Sequence, residues 1–170
     1  METRANYFLV GLFVLVEGVV HVGIIRGIAD ALADAFATFE RGTGRRYDFV
    51  DGYRLEDAEY AIVGMGSTME TAQVAVDWLR EERGVKAGVL HVTAFRPFPG
   101  RRIVDALQHV RAFAVVERMD NPLAESNPLT LEVKAAFADA LIEGRLARAP
   151  RIDSGAAGLG SRDVTPADMV

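Results

Sequence analysis

"AIVGMGSTMETAQ", residues 61–73, is the stretch whose reading decides the fold. An apolar run of strand length breaks at Gly64-Met65-Gly66-Ser67 and then takes on helical spacing. A glycine turn between strand and helix is either a phosphate cradle or a tight corner. A dinucleotide fingerprint needs G-x-G-x-x-G and an acid at the end of the following strand. Gly64 and Gly66 supply two glycines, but Met69 holds the third position, and the next strand ends in Thr93-Ala94-Phe95. The Gly-Lys-Ser/Thr of an NTPase loop is absent. Ser67 and Glu70 instead spell an S-x-x-E capping box, in which the hydroxyl takes the amide proton of residue 70 and the carboxylate that of residue 67. The corner therefore reads as structural, with small residues where strand and helix pack closely. Its position at the carboxyl end of a parallel strand keeps Gly64, Gly66 and Ser67 as candidate contacts for an anion or a partner.

Outward from this corner the pattern alternates. "YAIVG" (60–64), "AGVLHVTAF" (87–95) and "AFAVVE" (112–117) are apolar runs of strand length. Amphipathic helices follow each, over 69–83, 99–110 and 128–142. In the last of these, Asn127 before Pro128 reads as a cap with a first-turn proline. Strands apolar throughout, each followed by a helix, predict an α/β fold: a three-layer parallel sheet with room for a mixed edge. Upstream, Ile28, Leu32, Ala35, Phe36 and Phe39 recur at helical spacing within residues 24–40, and Gly42 and Gly44 offer a left-handed stop. Residues 45–59 read as a connecting loop. The expected organisation is a hydrophobic segment over 1–25, an α/β domain over 26–143 and a flexible tail over 144–170, where periodicity is lost.

Composition excludes several classes. The chain has 170 residues, half of them hydrophobic and a quarter charged, and a formal net charge of −5. That charge, with no basic stripe, argues against nucleic acid. There is no cysteine, which removes disulfides, thiolate zinc sites and cysteine-ligated iron–sulfur clusters from this chain and fits a reducing cytoplasm. The stretch from Asn6 to Ile25 has the length of a membrane span. Glu17 and His21 interrupt it, and a mid-span carboxylate costs a few kcal/mol. A segment packed against a domain or partner is the favoured reading, and a membrane anchor is disfavoured. Glu17 and His21 share a helix face at a spacing that can seat a metal, yet two ligands make a poor site.

The loop "FRPFPGRR" (95–102) follows the second strand and puts Arg96, Arg101 and Arg102 around two prolines. The prolines preset its dihedrals and hold Arg96 in place. Arg96 either docks a carboxylate or phosphate, for instance on a partner, or pairs internally with Glu117 or Asp120. His91 and His109 read as packing or surface residues, and no nucleophile–base pair or acid–base dyad stands out.

Three stretches together, "GRRYDFVDGYRLEDAEYAIVGMGSTMETAQVAVDWLRE", "AGVLHVTAFRPFP" and "AFAVVERMDNPLAESNPLTLEVKAAF", resemble the second domain of the alpha chain of pyruvate (2-oxoacid):ferredoxin oxidoreductases, itself similar to the C-terminal domain of transketolases. The resemblance covers about residues 26–142. It implies an enzyme that decarboxylates a 2-oxoacid on thiamine diphosphate and magnesium, passes electrons through iron–sulfur clusters to ferredoxin or flavodoxin, and releases an acyl-CoA. It places the pyrimidine half of the thiamine site in the alpha chain's first domain and the diphosphate half in a beta chain. Neither set of motifs is present here, so the resemblance carries over no catalytic residue and implies that no cofactor is bound by this chain alone. The partners it implies are the pyrimidine domain and the beta, gamma and delta subunits. Where the family has a full domain before residue 26, this sequence has the apolar stretch; the expectation is a split or truncated gene, or a domain supplied by another polypeptide. The "FRPFP" loop and the glycine corner match the family's pattern, which puts the anion-facing or partner-facing edge at Gly64, Gly66, Ser67 and Arg96. A free-standing module that binds a small anion such as CoA or a nucleotide at that edge is the alternative from another class.

Overall fold

A computed structural model describes residues 2–170, with side chains described from Gly18 onward. The chain divides into two compact units, Met1–Tyr47 and Asp48–Val170, so the division falls later than the expected boundary at residues 25 and 26. In the first unit one helix, α1, runs Glu2–Thr43 and contains the whole helix expected over 24–40. It ends at Gly44, which adopts φ +72 and donates its amide to the Glu40 carbonyl at 2.8 Å, the left-handed stop expected of that glycine. Val19, Val20, Ile24 and Ile28 are exposed along it. His21 is exposed too, while the side chain of its expected partner Glu17 lies outside the described ones. Among the described residues no helix is long and apolar enough to cross a membrane.

The second unit is the α/β sheet. Its strands are β1 (Val50–Tyr53), β2 (Tyr60–Gly64), β3 (Ala87–Val92), β4 (Ala112–Glu117) and β5 (Arg151–Ala156), in the order β1-β3-β2-β4-β5. The inner pairs and β4–β5 are parallel, and β1 runs antiparallel to β3, so the sheet has the mixed edge for which the sequence left room. Three helices flank it: α2 (Thr68–Arg83), α3 (Gly100–Leu107) and α4 (Pro128–Ile142).

The alternation of each strand explains the layers. Ala61, Val63, Leu90, Val92, Phe113 and Val115 point to one face and pack with Ile103, Val104 and Leu107 of α3 and Val133 and Phe137 of α4. Ala87, Val89 and Ile62 point to the other face, against Met69, Ala72 and Val76 of α2. Phe113 and Phe137 meet at 5.5 Å between ring centroids. Helix α2 is tied laterally as well: the Tyr53 hydroxyl donates to the Asp77 carboxylate at 2.9 Å, which pushes the phenol above its ordinary pKa. Arg80 donates to the Ala87 and Arg54 carbonyls and pairs with Asp57 at 2.8 Å.

Two expectations are corrected. The loop expected over 45–59 contains β1, and the flexible tail expected over 144–170 contains β5 and two short 3-10 turns, Leu159–Ser161 and Pro166–Met169. Met169 packs into the smaller core under α2. Both strands are edges, β5 largely exposed and β1 half-buried except for the exposed Gly52, so neither carries the apolar run that marks a buried strand.

Gly64 sets the spacing between α2 and the sheet. A Cβ built on it would stand 2.6 Å from Met69 Cε and 2.8 Å from the Val116 carbonyl oxygen. The methionine can swing aside but the backbone oxygen of the neighbouring strand cannot. Gly64→Ala is therefore expected to destabilise the fold by about 1–3 kcal/mol through overpacking, read as a lowered midpoint in urea at unchanged m. A wild-type midpoint would show that β2 and β4 part at little cost.

Candidate functional site at the carboxyl edge of the sheet

The site grows from the ends of β2, β3 and β4. At the end of β2 the chain turns through Met65 and Gly66, which takes φ +71, a conformation open to glycine at little cost. Ser67 then occupies the N-cap position of α2, but already with helical angles (φ −61, ψ −20) and no side-chain cap hydrogen bond. The expected Ser67–Glu70 capping box is therefore not formed. A cap needs extended backbone so that its hydroxyl can reach forward over the first turn, and here the helical path starts one residue too early. The amides of Met69 and Glu70 are met by the Gly66 and Ser67 carbonyls at 3.0 Å instead. Thr68, the first residue of α2, is only 6% exposed.

Beyond β3, Arg96 stacks 4.2 Å over the Phe95 ring and pairs with Glu132 of α4 at 2.5 Å. This corrects the expected internal partners, Glu117 or Asp120. Glu117 is engaged elsewhere, its carboxylate already meeting three donors of α4. At the end of β4 it accepts from the Leu129 amide (2.9 Å), the Thr130 amide (3.0 Å) and the Thr130 hydroxyl (3.0 Å). Those amides are orphan donors of the first turn of α4, where an anion is also favoured by the helix dipole. Asn127, the expected cap, has extended backbone, yet its side chain is turned back to the Asn121 amide (2.8 Å) and the Met119 carbonyl (2.9 Å). It staples the 119–127 loop while Glu117 caps the helix from the strand.

Between the ends of β2 and β4 lies a cavity of about 290 Å³ lined by Met65, Thr68, Val116, Glu117, Arg118, Met119 and Leu129. Helices α2 and α4 leave these neighbouring strands on opposite faces of the sheet, so the connections diverge and a crevice opens where they part. Of the residues singled out by sequence, Gly64 is buried beside this crevice as a packing residue, and Gly66 and Ser67 are exposed at its rim. Arg96 stands at the end of β3 and is held by Phe95 and Glu132. His109 faces the Leu55 carbonyl at 2.9 Å, and His91 sits opposite Asp51 across the β1–β3 pair. Among the described residues no group of three or more histidines and carboxylates could hold a metal ion. Thr68 and the two methionines escaped sequence reasoning, and Glu117 entered it only as a possible partner of Arg96. The one signal for Glu117 was an acid closing an apolar strand shortly before an Asn-Pro helix start.

Known proteins share this geometry's sequence. The family profile described as pyruvate:ferredoxin oxidoreductase core domain II matches residues 58–169. The chain is similar to the pyruvate synthase subunit PorA of Thermotoga maritima, 41% identical over 128 residues, covering 75% of this chain and 31% of that subunit. It is also similar to a probable pyruvate-flavodoxin oxidoreductase of Escherichia coli, 37% identical over 140 residues, covering 82% of this chain and 12% of that protein. With the pyruvate-flavodoxin oxidoreductase of Rhodospirillum rubrum it shares 43% identity over 128 residues, covering 74% of this chain and 11% of that one. The chain thus spans only part of each relative.

The two caps make opposite expectations. Glu117→Ala strands two first-turn amides and leaves the buried Thr130 hydroxyl with only Ser154, and is expected to cost about 1–3 kcal/mol. Ser67→Ala removes no cap bond and is expected to stay within about 0.5 kcal/mol of wild type. Urea melts of both variants check the pair; equal losses would mean that Ser67 caps α2 after all.

Proposed function

Because the chain belongs to the pyruvate:ferredoxin oxidoreductase family through its core domain II, we propose that it is the structural, assembly-supporting domain of a 2-oxoacid:ferredoxin or flavodoxin oxidoreductase, with pyruvate the 2-oxoacid named in its relatives. The observation that carries this reading is the match over 58–169, which spans the sheet from before β2 to the last 3-10 turn. The whole enzyme oxidatively decarboxylates the 2-oxoacid to an acyl-CoA, and this chain supplies packing surface to it.

The residues present do not fit the cofactors of that reaction. There is no cysteine to ligate an iron–sulfur cluster, and the described residues offer no carboxylate cluster for the magnesium of thiamine diphosphate. No step of the reaction is therefore assigned to this chain. The cofactors belong to the partners: a pyrimidine-binding domain and beta, gamma and delta subunits, in a cytoplasmic complex that hands electrons to ferredoxin or flavodoxin.

The partner-facing edge is the carboxyl end of the sheet at Gly66, Ser67 and Arg96, with Gly64 holding the corner closed behind them. Arg96 and Glu132 form an exposed pair, with side chains 60% and 36% accessible. Such pairs are worth about 0–1 kcal/mol, so Arg96 can exchange Glu132 for a carboxylate on a neighbouring subunit at small cost. The purified chain, given 2-oxoacid, thiamine diphosphate, magnesium and CoA, is expected to show no reduction of a dye such as methyl viologen. Sustained turnover under those conditions ends the assembly reading.

A further inference from the structure

We propose that residues 158–170 form a strap that opens and closes over helix α2 as one piece while the sheet stays folded, with Arg118 as its latch. The inference stands on the geometry of this chain and does not require the oxidoreductase reading.

The sheet's hold on the chain ends at Ala157, whose amide donates to the Glu117 carbonyl at 2.9 Å. From Gly158 onward, among the described residues, no backbone group bonds the backbone of another element. The backbone bonds of the segment are internal: the Arg162 amide to the Leu159 carbonyl at 3.4 Å, and the Asp168 amide to the Thr165 carbonyl at 3.1 Å. The Asp168 carboxylate adds to these by accepting from the Thr165 amide at 2.8 Å and the Thr165 hydroxyl at 2.7 Å. A piece bonded within itself and not to the sheet opens without breaking a strand. Its hinge lies just beyond the last bond to the sheet, where Gly158, Gly160 and Ser161 take φ +70, +64 and +62. Glycine adopts such angles about as readily as negative ones.

Two contacts keep the strap down. At its far end Met169 packs into the core of Met69, Ala72 and Val76, and the 3-10 turn Pro166–Met169 lies against α2. At its near end the Arg118 guanidinium donates from one terminal nitrogen to the Gly158 carbonyl at 3.4 Å and the Arg162 carbonyl at 3.2 Å. Among the described residues, these are the side-chain hydrogen bonds that join the segment to the rest of the domain. Gly158 lets the latch close, since a Cβ there would stand 3.0 Å from Arg118 Nε and 2.8 Å from Val164 Cγ2. Arg118 follows Glu117 at the end of β4 and lines the crevice there. The latch therefore lies on the carboxyl edge of the sheet, and the plug lies under α2.

The rest of the seat is loose. A groove of about 510 Å³ separates α2 from the strap, with Val74, Ala75 and Trp78 on one wall and Pro166, Ala167 and Val170 on the other. Apolar walls that do not meet across such a gap lose their mutual dispersion attraction. The strap is thus held at the latch and the plug, and not along its length. Opening lays the Val74–Trp78 wall of α2 bare to other molecules, and closing covers it.

The single tryptophan and the methionine plug give the readout. In the full chain labelled with ¹³C at its methionine methyls, Arg118→Ala is expected to raise the open population about tenfold, the effect of losing hydrogen bonds from a charged donor. The Met169 methyl signal then moves toward that of free methionine and acrylamide quenches Trp78 more readily, while amide exchange in β2, β3 and β4 keeps its wild-type rates. Gly158→Ala is expected to act in the same direction, because it displaces the same guanidinium. A Met169 signal or a Trp78 quenching that stays at its wild-type value in both variants overturns the proposal. So does a Met169 methyl already free in the wild-type protein, or sheet amides whose exchange quickens in step with the loss of the plug.

Discussion

The carboxylate of Glu117 is the tie on which the carboxyl edge of the sheet depends. It closes β4 and accepts three hydrogen bonds from the first turn of α4, so the helix starts where the strand ends and cannot drift along the sheet. An anion at that point also opposes the partial positive charge of the helix terminus, about half an elementary charge. The loop between strand and helix is then free to be shaped by other means. Asn127 closes it by holding the Asn121 amide and the Met119 carbonyl. With α4 fixed on one face and α2 allowed close to the other by the absence of a Cβ at Gly64, the gap between β2 and β4 is determined from both sides.

Much of this was legible in the residues, and what was not has a physical reason. β2, β3 and β4 are covered on both faces, so their sequences are apolar almost without interruption and cannot be mistaken for loops. The edges β1 (VDGY) and β5 (RIDSGA) each leave one side open, and a strand of that kind carries glycine, aspartate and serine like any surface loop. Pairing with a neighbour, which short-range periodicity does not record, makes them strands. The caps failed for a related reason. Capping motifs assume that the donor's partner lies within a turn of the helix start, whereas Glu117 reaches α4 from another element and Ser67 begins the helix too early to reach back. The family resemblance, by contrast, rested on ordered motifs across the sheet, and the match over 58–169 bears it out.

The candidate site was half visible. Gly64 and Gly66 stood out as a corner, because two glycines between an apolar strand and the onset of helical spacing mark a turn that side-chain volume would obstruct. Thr68, Met65 and Met119 carried no such mark. Threonine and methionine are common in helix starts and cores, and only the sheet order, with β2 between β3 and β4, shows that these residues share a crevice. Topology is a long-range property, and the sequence of any one unit does not contain it.

The arginines differ in how far each is committed to the fold. Arg80 is nearly enclosed, its side chain 16% accessible, and it bonds two carbonyls and a carboxylate within its own domain. Losing it would leave those acceptors unmet, so it is committed to the fold. Arg96 lies at the opposite extreme, stacked on Phe95 but 60% accessible at its side chain. The stacking fixes its direction without consuming its hydrogen-bonding capacity, because the ring contacts the face of the guanidinium while its donors lie at the edge. An arginine that is oriented yet weakly paired loses little on meeting a new carboxylate, since both the entropy of ordering it and the loss of its present partner are small. That combination at the carboxyl edge, beside an interior whose own polar groups are largely satisfied, is what the proposed contact with another polypeptide requires of Arg96.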